Sequence, residues 1–273
     1  MFTFFPNFIN NSLWMKYIFN KMAHINADKK RCIKLLIEYE GTEFAGWQIQ
    51  PEMRTVQEEI EKGLYRLTGT KITVTAAGRT DTGVHALAQV VSFQTDSQLP
   101  VTAFCKGLNR YLPEDLRVNE AEEKSENFNA RRDAVARTYR YIIATKQKII
   151  GRRYCWYPQF NFLLDPIRKA SKYLKGEHNY TSFCKKNKEE NYDNISTVHT
   201  IKWKIQEDDI IFEITAKRFF HNMVRIIVGT LLEVGRGRWT PQDFKNILEA
   251  RDRKLAGPTA PPQGLFLVKV HYK

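Results

Sequence analysis

Apolar residues alternate with others in Ile33-Lys34-Leu35-Leu36-Ile37-Glu38-Tyr39, where the odd positions are apolar and the even ones mostly are not. That period predicts a strand with one buried face, ended at Gly41. Thr55-Val56-Gln57-Glu58 then reads as a capping box, Thr55 accepting from a backbone N–H while Glu58 reaches back. Val56, Ile60, Leu64 and Leu67 fall on one face of the helix that follows, and Gly69 ends it. Residues 72–75 and 88–93 read as a second and third strand. A helix is expected over 101–112, with Val101, Phe104, Leu108 and Tyr111 in register and Pro113 as the stop.

The second half repeats this style. Residues 138–144 alternate as a strand, and Asp165-Pro166 looks like a cap followed by proline at the first helical position, with Gly176 as the close. Residues 201–205 and 210–215 flank Glu207-Asp208-Asp209 as a hairpin. Phe220, Met223, Val224, Ile227 and Leu231 make an apolar helical stripe, Thr240-Pro241-Gln242-Asp243 opens a last helix, and residues 265–270 form a final strand. Helices alternate with strands that include hairpin pairs, so an α+β fold with largely antiparallel pairing fits better than a doubly wound sheet. The charged stretch 120–132 divides the chain best. This gives an N-terminal half, 31–130, and a C-terminal half, 131–273, each a similar mixture of strands and helices.

Residues 1–30 are left unassigned. They carry Phe2, Phe4, Phe5, Phe8, Trp14, Tyr17 and Phe19 and no acid before Asp28. They show no clear signal-peptide pattern, and their apolar runs are too short and interrupted to span a bilayer. An organelle-targeting segment and a start at Met22 both remain open.

Charge changes the picture next. Lysine and arginine number 43 against 30 acids, a net of +13, and an excess of this size points to phosphate as counter-charge. Cys32, Cys105, Cys155 and Cys184 lie far apart with no Cys-x-x-Cys pair. That spacing suits reduced thiols in a cytosol-like compartment better than a zinc site or a disulfide framework.

Ala76-Ala77-Gly78-Arg79-Thr80-Asp81-Thr82-Gly83-Val84-His85 stands between two β-type stretches, too long and too rich in glycine for a tight hairpin. Read alone, it is an Asx-turn loop or a place where the backbone approaches a ligand while Arg79 and Asp81 project. The stretch resembles the catalytic loop, GRTDxGVHA, of the tRNA pseudouridine synthase A (TruA) family. The resemblance extends from Ile33 to Tyr272 through EYEGTEFAGWQIQ, TVQEEIE, GLNRYLP, FNARRDAVARTYRYII, FFHNMVRIIVGTLLEVG and GPTAPPQGLFLV, in the family's order. One departure is Asn179 in EHNYTSF, where the family usually carries aspartate.

The resemblance implies a pseudouridine synthase fold with an RNA-binding cleft and an isomerase (an intramolecular transferase) using no metal or organic cofactor. Asp81 would be the catalytic carboxylate, attacking C1′, adding to the base or removing the C2′ proton. Arg225 would be the cation that keeps it charged, since desolvation disfavours an unpaired carboxylate. Tyr139 would stack on the target uracil, its hydroxyl a candidate to help remove the C5 proton. Arg79 would fill the stem where the uridine leaves. The substrate would be tRNA, at positions 38–40 of the anticodon stem-loop, and the protein a cytoplasmic homodimer with no membrane association. Arg131-Arg132, Arg152-Arg153, Lys185-Lys186, Arg236 and Arg238 are expected to meet the RNA backbone. His85 is read as structural. Two other classes compete: an RNA chaperone, which has no use for an Asp81, Tyr139 and Arg225 set, and a metal-dependent nuclease, which needs clustered carboxylates or histidines.

Overall fold

The computed structural model describes residues 30–185 and 193–273. All of the unassigned extension except Lys30 lies outside these residues, as does Lys186. One nine-stranded sheet runs through both halves of the chain, in the order β4-β1-β3-β9-β5-β8-β7-β6, with the short β2 added to β3. Its strands are β1 Arg31–Tyr39, β2 Thr75–Ala76, β3 His85–Thr95, β4 Leu116–Lys124, β5 Ala136–Ala144, β6 Gly176–Asn179, β7 Ile195–Gln206, β8 Asp209–Ala216 and β9 Leu265–His271. Every pairing is antiparallel except β3 with β9, joined through His85↔Phe266 and Ala86↔Leu267. The C-terminal strand β9 is thus the strip between the halves, paired to β3 on one side and to β5 on the other.

The helices are α1 Val56–Thr68, α2 Leu164–Ser171, α3 Met223–Gly235 and α4 Pro241–Ala250. Helix α1 starts where the pattern predicts. Thr55 accepts from Glu58 N, while the Glu58 carboxylate turns to Lys62 at 2.8 Å instead of closing the box, and Gly69 ends the helix in the left-handed region. Its buried stripe of Val56, Ile60 and Leu64 follows the helical period. In the other half the capping box is complete, Thr240 and Asp243 each binding the other's backbone. Helix α3 is buried along nearly its whole length and packs against α2 and α4. Buried side chains from both halves form one continuous core.

Several expectations give way to the structure, among them Gly176 as a helix end, since α2 stops at Ser171 and Gly176 opens β6. Residues 101–112 form two 3₁₀ turns, Val101–Phe104 and Leu108–Arg110, not one helix. Asn109 is the reason: its side chain donates to Val118 O and accepts from Val118 N, both at 2.8 Å, tying this segment to β4. The strand expected over 72–75 shrinks to Thr75–Ala76. Asp165 is not a cap, because the helix begins one residue earlier, and Leu163, which holds the capping position, donates its N–H to Gly235 O. The charged stretch from 120 begins inside β4, an edge strand whose buried residues are Leu116 and Val118. Charged side chains on an edge strand discourage pairing with other molecules, and here they also hide the strand from a search for alternation.

Candidate active site

The loop carrying Asp81 hangs between β2 and β3 and rests on the segment after β1. Trp47 N donates to Thr80 O at 3.1 Å and Gly83 N to Phe44 O at 3.3 Å. Gly46 makes that approach possible: its φ is +94°, and a Cβ there would lie 2.9 Å from Thr80 O. Tyr39 reaches up from β1 to Thr80 Oγ1 at 2.8 Å, its phenol pushed up to about 12 by burial. The loop borders a cleft of about 1450 Å³, larger than the few hundred to about 1,000 Å³ usual for small-molecule pockets. Among the described residues, seven lysines and arginines line it: Arg79, Arg131, Arg137, Lys185, Lys217, Arg218 and Arg225. Asp81 is the one carboxylate among the described residues that line it.

Asp81 and Arg225, 144 positions apart in sequence, meet inside this cleft. Arg225 Nη1 lies 3.3 Å from Asp81 Oδ2, with both side chains largely covered. His221 Nε2 approaches Asp81 Oδ1 at 3.7 Å from the more exposed side. The guanidinium is fixed in other directions as well. Its Nε donates to Ala260 O and its Nη1 to Asn222 Oδ1, each at 2.8 Å. Asn222 holds the capping position of α3 with φ +60°, a conformation asparagine tolerates, and its side chain accepts from the Arg225 guanidinium instead of from a backbone N–H of the helix.

The Ala260 carbonyl depends on close packing between backbones. The segment around Pro258 crosses α3 at Gly229, where a Cβ would stand 1.8 Å from Pro258 O. Thr230 Oγ1 accepts from Gly257 N at 3.0 Å and Tyr141 OH donates to Pro261 O at 2.7 Å, pinning the same segment. Gly229→Ala is therefore expected to destabilise the protein by about 1–3 kcal/mol, as overpacking does, and to lower activity by displacing the Arg225 anchor. A thermal melt and a turnover assay on the variant check both effects.

Tyr139 lies at the back of the cleft, 8% exposed. Its ring meets Phe219 edge-on with centroids 4.9 Å apart, and its hydroxyl lies 4.0 Å from where a Gly78 Cβ would be. Burial raises its phenol well above the ordinary tyrosine value, with the Tyr39 and Asp81 charges adding to the effect. Arg79 is exposed at the cleft border. Asp81, Arg225, Tyr139 and Arg79 thus share one cavity.

His85 stands apart from that set. Its Nδ1 accepts from Gly41 N at 3.0 Å, so its proton sits on Nε2, which faces the carbonyls of Arg153 and Gln263. Burial lowers its pKa, and the ring stacks on Phe266. Of the basic residues expected at the RNA backbone, Arg131 and Lys185 line the cleft. Arg132 pairs with Asp133, Arg153 with Glu43, and Arg236 and Arg238 with the buried Glu233. Asn179 shapes a local turn: it accepts from Thr181 N and donates to Asp193 O at 2.8 Å, and an aspartate could not make that donation. Periodicity does not single out His221 or Asn222. Both lie in FFHNM, immediately before the stripe that carries Arg225.

Comparison with known proteins gives the family. The model of the tRNA pseudouridine synthase family matches residues 35–148 and 170–273. The tRNA pseudouridine synthase A of Bacillus pumilus is 42% identical over 244 residues, covering 88% of this chain and 98% of that protein. The Geobacillus kaustophilus protein of the same name is 43% identical over 245 residues, covering 88% and 94%. Among solved structures, a Cbf5-Nop10-Gar1 complex aligns with TM-score 0.35 and 14% identity over 90% of this chain and 59% of that chain, too distant to add weight. With a family model spanning most of both halves and near full-length relatives above 40% identity, the chain belongs to the tRNA pseudouridine synthase family.

Proposed function

We propose that this protein isomerises uridine to pseudouridine in tRNA, at positions 38–40 of the anticodon stem-loop, with Asp81 as the reacting carboxylate. The observation that carries this reading is the Asp81–Arg225 pair at 3.3 Å inside a cleft where Asp81 is the one acid among the described lining residues. The relatives' names supply the tRNA substrate; the stem-loop positions and a homodimeric state rest on the family resemblance.

The reaction breaks the bond between C1′ and N1, turns the freed uracil and joins C1′ to C5. The C5 proton is lost and N1 ends protonated, so no atoms are gained overall. Each role open to Asp81 needs an ionised oxygen, and the Arg225 guanidinium favours the ionised form. Its two further contacts hold it in place without reorganisation during the reaction, the condition under which such electrostatic support acts most strongly.

Extruding a nucleotide costs a few kcal/mol. Stacking on Tyr139 returns about 1–3 kcal/mol, and Arg79 at the border is placed to occupy the vacated space. Burial keeps the Tyr139 hydroxyl protonated at neutral pH, which favours stacking and hydrogen bonding over phenolate chemistry. Arg131, Lys185 and Lys217 line the cleft where the phosphates would run, whereas Arg218 pairs with Asp193 at 2.6 Å, and affinity is expected to fall as salt rises.

The test is tritium release from transcribed tRNA labelled at C5 of uridine, incubated with the protein alone and again with chelator. Release of label in both, with pseudouridine mapped to positions 38–40, is the expected result. No release from the unaltered protein would refute the activity, and modification elsewhere would refute the positions.

A further inference from the structure

Arg137, at the start of β5, is the one arginine among the described residues lining the cleft whose guanidinium contacts are all to backbone carbonyls in several separate segments. Its Nε and Nη2 both donate to Ala77 O, at 3.1 and 2.6 Å, at the foot of the Asp81 loop. Nη2 also donates to Arg131 O at 2.9 Å, while Nη1 donates to Ala134 O at 3.0 Å and to Lys217 O at 3.1 Å. No carboxylate pairs with it among the described residues. Burial lowers its pKa below the ordinary arginine value, and it stays charged at neutral pH because arginine starts so high.

The four carbonyls belong to three separate walls of the cleft. Ala77 opens the loop of Arg79 and Asp81, Arg131 and Ala134 belong to the basic turn before β5, and Lys217 follows β8 on the way to Phe219 and His221. Gln89 of β3 adds a neighbouring tie, its Nε2 donating to Gly78 O at 2.7 Å. The carbonyls at the foot of the loop therefore turn into the protein while Arg79 and Asp81 turn out. A planar fork with five N–H groups can join three walls; an ammonium on a flexible stem cannot hold the same spread.

We infer that Arg137 is a positioning residue that fixes the Asp81 loop relative to the two phosphate-facing walls, setting the register between the bound RNA backbone and the reacting carboxylate. This rests on the proposed uridine isomerisation, and the two can fail separately. Turnover of the unaltered protein tests the activity, and the ratio of variant to unaltered protein tests Arg137.

The experiment compares Arg137→Lys and Arg137→Ala in single-turnover rate, tRNA affinity and melting temperature. Arg137→Lys keeps the charge and loses the spread. Its rate is expected to fall about 100-fold, the scale of a 1 Å misplacement of reacting groups, with affinity within about threefold, less than a tenth of that change. Arg137→Ala is expected to lose affinity as well, and added guanidinium ion to restore part of its rate where sodium at equal ionic strength does not. An Arg137→Lys rate within twofold of the unaltered protein overturns the inference. So does loss of the folded state in both variants, which would make Arg137 a general structural residue, or a loss confined to affinity, which would make it only a phosphate contact.

Discussion

Asp81→Asn is expected to reduce pseudouridine formation to below detection while tRNA affinity stays within about threefold of the unaltered protein's, since the proposed chemistry rests on Asp81 and binding on the basic lining of the cleft. Asparagine keeps the shape of the side chain and cannot ionise, so none of the three roles open to the carboxylate survives. The lysines and arginines that line the cleft are untouched, and removing a carboxylate from it does not weaken attraction for phosphate. The substituted amide can still present a carbonyl oxygen to Arg225, so the fold is retained. Tritium release together with filter binding checks the split. Turnover near the unaltered rate would remove Asp81 from the reaction.

The second large effect is expected at Arg225. Arg225→Met keeps most of the side-chain volume and removes every donor, and the single-turnover rate is expected to drop about 10²–10³-fold, the range seen when a preorganised electrostatic group is lost. Stability falls too, because Ala260 O and Asn222 Oδ1 lose their partner and an unsatisfied buried group costs about 1–3 kcal/mol. The variant is assayed well below its melting temperature so that the two effects separate. Arg225→Lys is the informative companion. A lysine supplies charge without the geometry to reach Ala260 O and Asp81 together, so it is expected to recover only part of the lost rate.

Much of this arrangement was legible in the residues. Strand β1, the start and stop of α1, the β7–β8 hairpin, the α3 stripe from Met223 on (Phe220 precedes the helix) and the Thr240 cap each follow a local rule and appear where that rule puts them. The failures come from contacts that a local rule cannot see. Helical spacing over 101–112 was real, yet Asn109 is committed to the backbone of β4 and breaks the run into two turns. Strand β4 has only Leu116 and Val118 buried, so its edge position hides its period. At the site, glycines around Arg79 and Asp81 marked a loop with projecting side chains, but nothing in the spacing joins Asp81 to an arginine 144 residues later. The family resemblance supplied that link, and the chain path through α3 explains it. Arg137 was invisible for a related reason: its partners are main-chain carbonyls, and a carbonyl leaves no trace in residue identity.

Strand β9 carries one more implication. It follows every other strand of the sheet along the chain and is the one that stitches β3 to β5, so the two half-sheets are not joined edge to edge until Leu265–His271 has been made. A nascent chain halted before Leu265 carries Asp81 and Arg225 on separate, unstitched pieces. Sequence-distant closure of this kind folds slowly, so assembly of the cleft is expected to wait on the docking of β9.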